Sequence, residues 1–420
     1  MEKTILNTLF VGIDVDSQTN AVFMMNFLQK EYNRFRVKND FNGVEILKDK
    51  TVEILKQENI EYVDFVLEST SVYAFHTATY LSSNEELLAY NPRVYCINPK
   101  ISCNYRASFA DKDKDDFNDA INLADLARVG RCDKLTPWRG VQLLALQRLT
   151  RHRKHLATIL ANEKNYILNN IYLKFSGILT ASKGESPFSN LYGTTSSFIL
   201  TDFVSPEDII NISIEELIII LNEKGNKHFV DPERTAILLK QAASNSYKLD
   251  KVTLEPINLA ITSSINCIRT YEAEIKSIDK SIAQQIKGLN DTEYTSLTSI
   301  KGIGQVLAAG IIAEIGSIDQ FDNDNALAKF AGITWRKTQS GKFEAEDTPL
   351  TKTGNTYLRY YIIEAANQVK KYLPEYFDFY QKKYYEVNNH REARASVLTA
   401  RKLIKLIFAL MKSRSLYKER

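Results

Sequence analysis

The first 100 residues alternate strand and helix signals in an order that few folds accommodate. "TLFVGIDV" (8–15) is an apolar, β-branched run with an acid near its end, and "AVFMMNF" (21–27) and "RFRVK" (34–38) follow as two more strands. "VEILKDKTVEILKQ" (44–57) spaces its apolar residues as a helix does. "YVDFVLE" (62–68) is a strand that again ends in an acid, 72–81 reads as a helix, and "RVYCIN" (93–98) is a strand stopped by Pro99. Strands joined without helices pair antiparallel, whereas strands separated by helices are joined by crossovers. The order therefore predicts a mixed sheet flanked by helices, an α/β domain.

The acids fall where such a sheet binds ligands. Asp14 closes the first strand and Glu68 the fourth, and strand ends of α/β sheets are where these folds place their sites. "KDDFNDA" (114–120) sets Asp116 and Asp119 three apart before the helical run "AINLADLAR", on one face of a turn. Four acids converging without cations of their own would repel one another. Mg²⁺ or Mn²⁺ would relieve that repulsion through oxygen ligands, and two such ions serve phosphoryl transfer. Taken singly, each acid reads equally well as a turn residue, a helix cap or a solvated helix start. Their order on this strand pattern resembles the RNase H-like fold of RuvC-type nucleases.

The 420 residues are too many for one ordinary domain. Leu146, Leu149, Leu156, Leu160 and Ile167 form a heptad seam interrupted by Arg153 and Glu163. Ile261, Ile265, Ile268, Ile275, Ile282 and Ile286 form a second, interrupted by Glu272 and Asp279. Each is a long amphipathic helix, an arm of a coiled coil or a core helix of a bundle. Short helices with start signals at Ser205 and Ser213 lie between them. Three regions follow: an α/β domain over 1–135, a helical coiled-coil or linker region over 136–290, and a mostly helical domain over 291–420. No segment approaches the ~20 apolar residues of a membrane span, and the N-terminus lacks a signal-peptide layout. Cys96, Cys103, Cys132 and Cys267 form no zinc spacing, which predicts a reduced cytoplasmic setting.

Net charge is +3 but uneven: residues 371–420 hold 12 Lys/Arg against 5 Asp/Glu, and residues 131–170 hold 8 against 2. Basic blocks beside an acidic cluster suit a polyanion held near metal, or simply solvated helix faces. On the first long helix Arg151, Arg153, Lys154 and Lys164 are the candidates for nucleic-acid contact, and on the tail helix Arg401 and Lys402. His152 and His155, three apart, read as phosphate-facing or solvated. Tyr372, Tyr376, Tyr380 and Tyr384 form a stripe that is core or a base-stacking face. "IKGIGQVLAAGIIAEIG" (300–316) puts Gly302 and Gly304 between two helices, like a helix-hairpin-helix element. Lys352, Asn355 and Arg359 gather with Gly354 at a helix start suited to phosphate.

Together "VGIDV", "LESTSVY", "INPK", "KDDFNDA", "IKGIGQVLAAGIIAEIG", "LAKFAGI", "SGK", "TKTGNTYLR" and "ARKLIKLIFALM" resemble the DEDD transposases of the "one-ten" class of insertion sequences, also described as bridge-RNA-guided recombinases. The resemblance implies a RuvC-like domain, a coiled-coil arm and a C-terminal transposase domain. It matches Asp14, Glu68, Asp116 and Asp119 to the family's metal-site acids and Ser340 to its catalytic serine, with Lys337 and Lys342 as phosphate neighbours. It implies donor and target DNA, a structured guide RNA, a dimer or tetramer and a prokaryotic, nucleoid-associated setting. The sequence departs at Asp115, where the family has Thr, and at Lys301 and Trp335, where it has Pro. Asp115 and Asp113 leave the register of the Asp-x-x-Asp pair open. Read without the resemblance, Ser340 is a turn residue. A RuvC-like structure-specific endonuclease without serine chemistry, and a non-catalytic nucleic-acid binder, are the competing readings.

Overall fold

A computed structural model describes the chain except residues 1–4, 70–71, 109–114, 133–134, 136, 139–140, 183, 226–228, 290–291, 336–338, 341–342, 345–349 and 420. For Lys100, Val141, Gln339, Ser340, Phe343 and Glu344 it describes the backbone alone. The chain divides into two compact units, one of Met1–Ala145 with Asp291–Arg420 and one of Leu146–Asn290. The first and third of the expected regions thus fall within one unit.

In the first unit, β1 (Thr8–Val15), β2 (Thr19–Met25), β3 (Glu31–Lys38), β4 (Tyr62–Glu68) and β5 (Arg93–Ile97) form one sheet in the order β3-β2-β1-β4-β5. β1 pairs antiparallel with β2 and β2 with β3, while β1–β4 and β4–β5 are parallel. This is the mixed sheet that the strand and helix order predicts. The connecting helices are α1 (Phe41–Gln57), α2 (Ala74–Ser83), the single turn α3 (Glu85–Leu88), α4 (Pro99–Arg106) and α5 (Asp116–Arg128). Because side chains alternate along a strand, the sheet has two apolar faces. Val11, Ile13, Val22 and Phe65 pack with α1 and α2 on one, and Phe10, Phe23 and Val66 pack with Ala120, Leu123 and Ala124 of α5 on the other.

The same unit contains α12 (Thr292–Thr298), α13 (Gln305–Ile315), α14 (Asp324–Ala331), the two-residue strands β6 (Gln339–Ser340) and β7 (Phe343–Glu344), α15 (Thr356–Tyr372), α16 (Pro374–Tyr385) and α17 (Arg391–Ser413). Their core is built from residues such as Ile311, Leu327, Tyr361, Ile362, Leu403 and Ile407. Of the tyrosine stripe, Tyr376 belongs to this core and Tyr372 is exposed.

The second unit takes most of α6 (Val141–Thr180), then α7 (Thr194–Asp202), α8 (Pro206–Asn211), α9 (Ile214–Lys224), α10 (Pro232–Ser244) and α11 (Lys251–Lys287). Three of the four charges that interrupt the two heptad seams pair between the helices, and Lys164, beside the interrupting Glu163, supplies the remaining partner. Arg153 of α6 pairs with Asp279 of α11 at 2.5 Å, and Lys164 pairs with Glu272 at 2.6 Å. Partner numbers fall as α6 numbers rise, so the two helices run antiparallel, and the seams meet within one chain. Ile167, Ile171, Ile261, Ile265 and Ile268 fill the core between these helices and the shorter ones. Phe175 leaves helical geometry (φ −141°, ψ 62°) and is buried at this break in α6.

Candidate active site

The register of the sheet sets the site. Asp14 lies opposite Ala21 on β2, and Ala21 lies opposite Arg36 on β3. On the other side, Ile13 pairs with Leu67, which brings Asp14 and Glu68 together at the ends of parallel neighbours. Residues directly opposite one another point to the same face. Arg36, Ala21, Asp14 and Glu68 therefore form one row on the face that α5 covers. Ala21 is small enough for the Arg36 side chain to reach over it.

Above this row sits the first turn of α5, which carries Asp116 and Asp119. Gly12 fixes how closely α5 approaches. A Cβ at this position would lie 1.9 Å from the Ala120 carbonyl oxygen and 2.6 Å from the Ala124 nitrogen, both backbone atoms of α5. The glycine of "VGIDV" thus lets the helix lie directly on β1, with its N-terminal acids over Asp14.

The electrostatics register that crowding. The Asp14 carboxyl is pushed up to about 6, first by burial and then by the negative charges of Asp119, Asp116, Glu68 and Asp16. Glu68 accepts a hydrogen bond from Ser102 Oγ at 2.6 Å. Asp116 and Asp119 do have cations of their own, contrary to the premise that the acids stand uncompensated. Arg36 Nη1 lies 2.6 Å from Asp116 Oδ2, with its Nη2 3.8 Å from Asp115. Arg106 Nη1 lies 2.7 and 2.9 Å from the two oxygens of Asp119. Sequence reasoning missed Gly12, Arg36, Ser102 and Arg106. Only the alternating bases of "RFRVK" hinted at a charged strand face.

The donor set suits a hard divalent cation, since every candidate ligand is a carboxylate and the charge that raises Asp14 is one a cation would relieve. Among the described residues, no three His, Cys, Asp or Glu side chains are grouped as metal ligands in this arrangement.

Ser340 lies on β6, its backbone opposite Phe343 of β7. On either side of this segment, Trp335 and Leu350 form a bridge, the Thr351 N–H donates to the Thr334 carbonyl (2.8 Å) and the two threonine hydroxyls lie 3.1 Å apart. The segment that reads as a phosphate cradle is held within the fold by its own contacts. Asn355 caps α15 by accepting from the Tyr357 and Leu358 N–H groups, and its amide donates to buried Glu314 at 2.7 Å. Arg359 donates to the carbonyls of Ala331 and Lys352, both at 3.2 Å. Gly354 lies so close that a Cβ would be 2.5 Å from the Phe330 carbonyl oxygen. Lys337 and Lys342 lie outside the described residues.

Other predicted contacts are also engaged within the chain. Arg401 binds Asp324 and Asn325, Lys402 binds Glu375, and Lys301 binds Glu419. Gly302 (φ +100°) presses on α15, where a Cβ would meet the Val369 backbone at 2.9 Å, whereas Gly304 at the start of α13 faces open space. Gly302 thus has a packing role against α15. In the second unit, Arg151 and Lys154 lie half-buried on α6, and His152 and His155 stack on its exposed side with ring centres 6.1 Å apart. No helix among the described residues is long and apolar enough to cross a membrane.

Two family models match. One, a transposase model of the DEDD type of IS110 elements, covers residues 11–175, and the other, described as the transposase IS116/IS110/IS902 family, covers residues 294–381. The transposase for insertion sequence element IS1111A of Coxiella burnetii is 26% identical over 201 residues, 46% of this chain and 50% of that protein. The match thus spans about half the length of that relative. An insertion element IS116 protein of 44.8 kDa from Streptomyces clavuligerus, uncharacterized, is 22% identical over 343 residues, 79% of each chain.

Proposed function

The chain belongs to the IS110 class of DEDD transposases, and on that premise we propose that it cuts and rejoins DNA strands through a covalent phosphoserine at Ser340. One observation carries the reading: Asp14 and Glu68 end adjacent parallel strands beneath the helix turn that bears Asp116 and Asp119. The sheet order β3-β2-β1-β4-β5 with acids at these strand ends supports an RNase H-like, RuvC-type core.

Asp14, Glu68, Asp116 and Asp119 would hold Mg²⁺ or Mn²⁺, which when bound supplies charge neutralisation at the phosphate. A serine hydroxyl is a weak nucleophile until its target is activated in this way. Ser340 Oγ forms a bond to phosphorus, the bond from phosphorus to one sugar oxygen breaks, and the released hydroxyl takes up the proton that the serine gives up. The phosphoserine keeps the energy of the diester. A second DNA hydroxyl then reverses the step on a new strand, so no external energy is needed.

Ser340→Ala tests this. We expect loss of recombination by at least ~10³-fold and no protein–DNA adduct on denaturing gels, in line with removal of a nucleophile. Metal-dependent cleavage at wild-type rate without any adduct would identify a RuvC-like endonuclease instead. Exchange of strands between donor and target requires several such sites, hence a dimer or tetramer. Choice of target falls to a structured guide RNA. Sequencing of RNA that co-purifies with the protein is expected to give one discrete species, and random cellular RNA would rule guiding out.

A further inference from the structure

Two arginines occupy the acids that the proposed site needs. We propose that Arg36 and Arg106 serve as internal counter-charges, holding Asp116 and Asp119 until a divalent cation claims those carboxylates, and that the released guanidinium groups then bind the phosphate of the DNA strand. The inference rests on the metal-dependent DNA chemistry proposed above.

Placement supports it. Arg36 and Arg106 approach from opposite edges of the site, one from strand β3 and the other from the end of helix α4, and each takes a different acid of the α5 turn. Arg36 is half-exposed, with side-chain exposure of 45%, and packs its guanidinium 4.8 Å from the centre of the Phe117 ring. A planar cation resting on an aromatic face can swing without losing that contact. Arg106 Nη1 donates to both oxygens of Asp119, so it engages lone pairs that a metal would use. Guanidinium is the side chain best matched both to carboxylate and to phosphate, so transfer from one to the other keeps its geometry. A phosphate lying over Asp14 and Glu68 would sit between the two arginines, and its negative charge would replace that of the carboxylates taken by metal.

Arg34 provides an internal control. It stands two residues from Arg36 on the same strand face, contacts the same Phe117 ring at 5.7 Å, and pairs with Glu31 rather than with the site acids. Removing it changes the local charge by the same amount without freeing Asp116.

The test is calorimetric titration of the full-length, DNA-free protein with Mn²⁺, a readout independent of recombination. We expect Arg36→Gln and Arg106→Gln each to tighten Mn²⁺ binding by about tenfold, and Arg34→Gln by less than twofold. Arg106→Lys, which keeps the charge but loses the planar guanidinium, should fall between wild type and Arg106→Gln. With Ca²⁺ present, the two Gln variants should bind duplex DNA at least fivefold more weakly than wild type. Equal tightening in Arg34→Gln, or none in any variant, overturns the proposal while leaving the metal site intact. Absence of Mn²⁺ binding in every protein, wild type included, would instead sink the metal-dependent reading beneath it.

Discussion

Gly12→Ala is expected to abolish DNA recombination and to destabilise the α/β sheet, although it adds a single methyl group and removes no functional atom. The added Cβ would lie 1.9 Å from the Ala120 carbonyl oxygen and 2.9 Å from its carbon, distances no packed structure tolerates. The obstruction is helix backbone, so no rotamer change relieves it, and α5 must move away from β1 as a body. Overpacking of this kind costs roughly 1–3 kcal/mol. The larger effect is on geometry, because Asp116 and Asp119 ride on the first turn of the displaced helix. A displacement of about 1 Å at a catalytic group costs on the order of 10²-fold in rate, and here two acids move together. Gly304→Ala is the matched control: a Cβ there meets nothing within 4 Å, its φ is −79°, and its cost should stay under ~1 kcal/mol. Parallel denaturation curves and recombination assays on the two variants decide the matter. A Gly12→Ala protein with wild-type stability and activity would mean that α5 does not depend on the glycine for its seat.

The same comparison explains which parts of the site were legible in sequence. Asp14 and Glu68 could be found because strands are short, periodic and locally encoded, so their ends are visible in a window of eight residues. Asp116 and Asp119 could be found because helix spacing is equally local. Arg36 could not, since its partner Asp116 lies 80 residues away and the contact depends on strand order and on small Ala21 between them. The long helices show the same limit. Arg153, Glu272 and Asp279 stood out as charges breaking apolar seams, yet only the fold reveals that Arg153 meets Asp279 across 126 residues. The "TKTGNTYLR" segment reads as a helix start suited to phosphate, and the fold adds that Asn355 and Arg359 also hydrogen-bond to Glu314 and the Ala331 carbonyl while Gly354 packs on the Phe330 carbonyl. Residue type identifies what a group can do, and only tertiary context decides with which partner it does it.

Asp14→Asn should make the metal-free protein more stable while removing its activity. The Asp14 carboxyl is held at about 6, above its ordinary 3.8, because burial and four neighbouring acids oppose its ionisation. The folded state therefore holds this proton more tightly than the unfolded chain does. The corresponding stability is fully present below pH ~4 and is lost as pH rises through about 6. Near pH 7.5 the ionised group works against folding. Its neutral isostere should recover on the order of 1–3 kcal/mol, the upper bound being the full shift and the lower allowing for partial exposure to water. Unfolding midpoints measured in chelator from pH 4 to 8 should show the variant ahead at high pH and the two proteins converging at low pH. Millimolar Mg²⁺ should reverse the order, because the wild type gains stability from binding a ligand that the variant holds poorly. A variant less stable than wild type at pH 7.5 in chelator would show that the four acids are not mutually strained. The cluster would then be a settled piece of architecture rather than a site kept under charge stress for a cation and a phosphate.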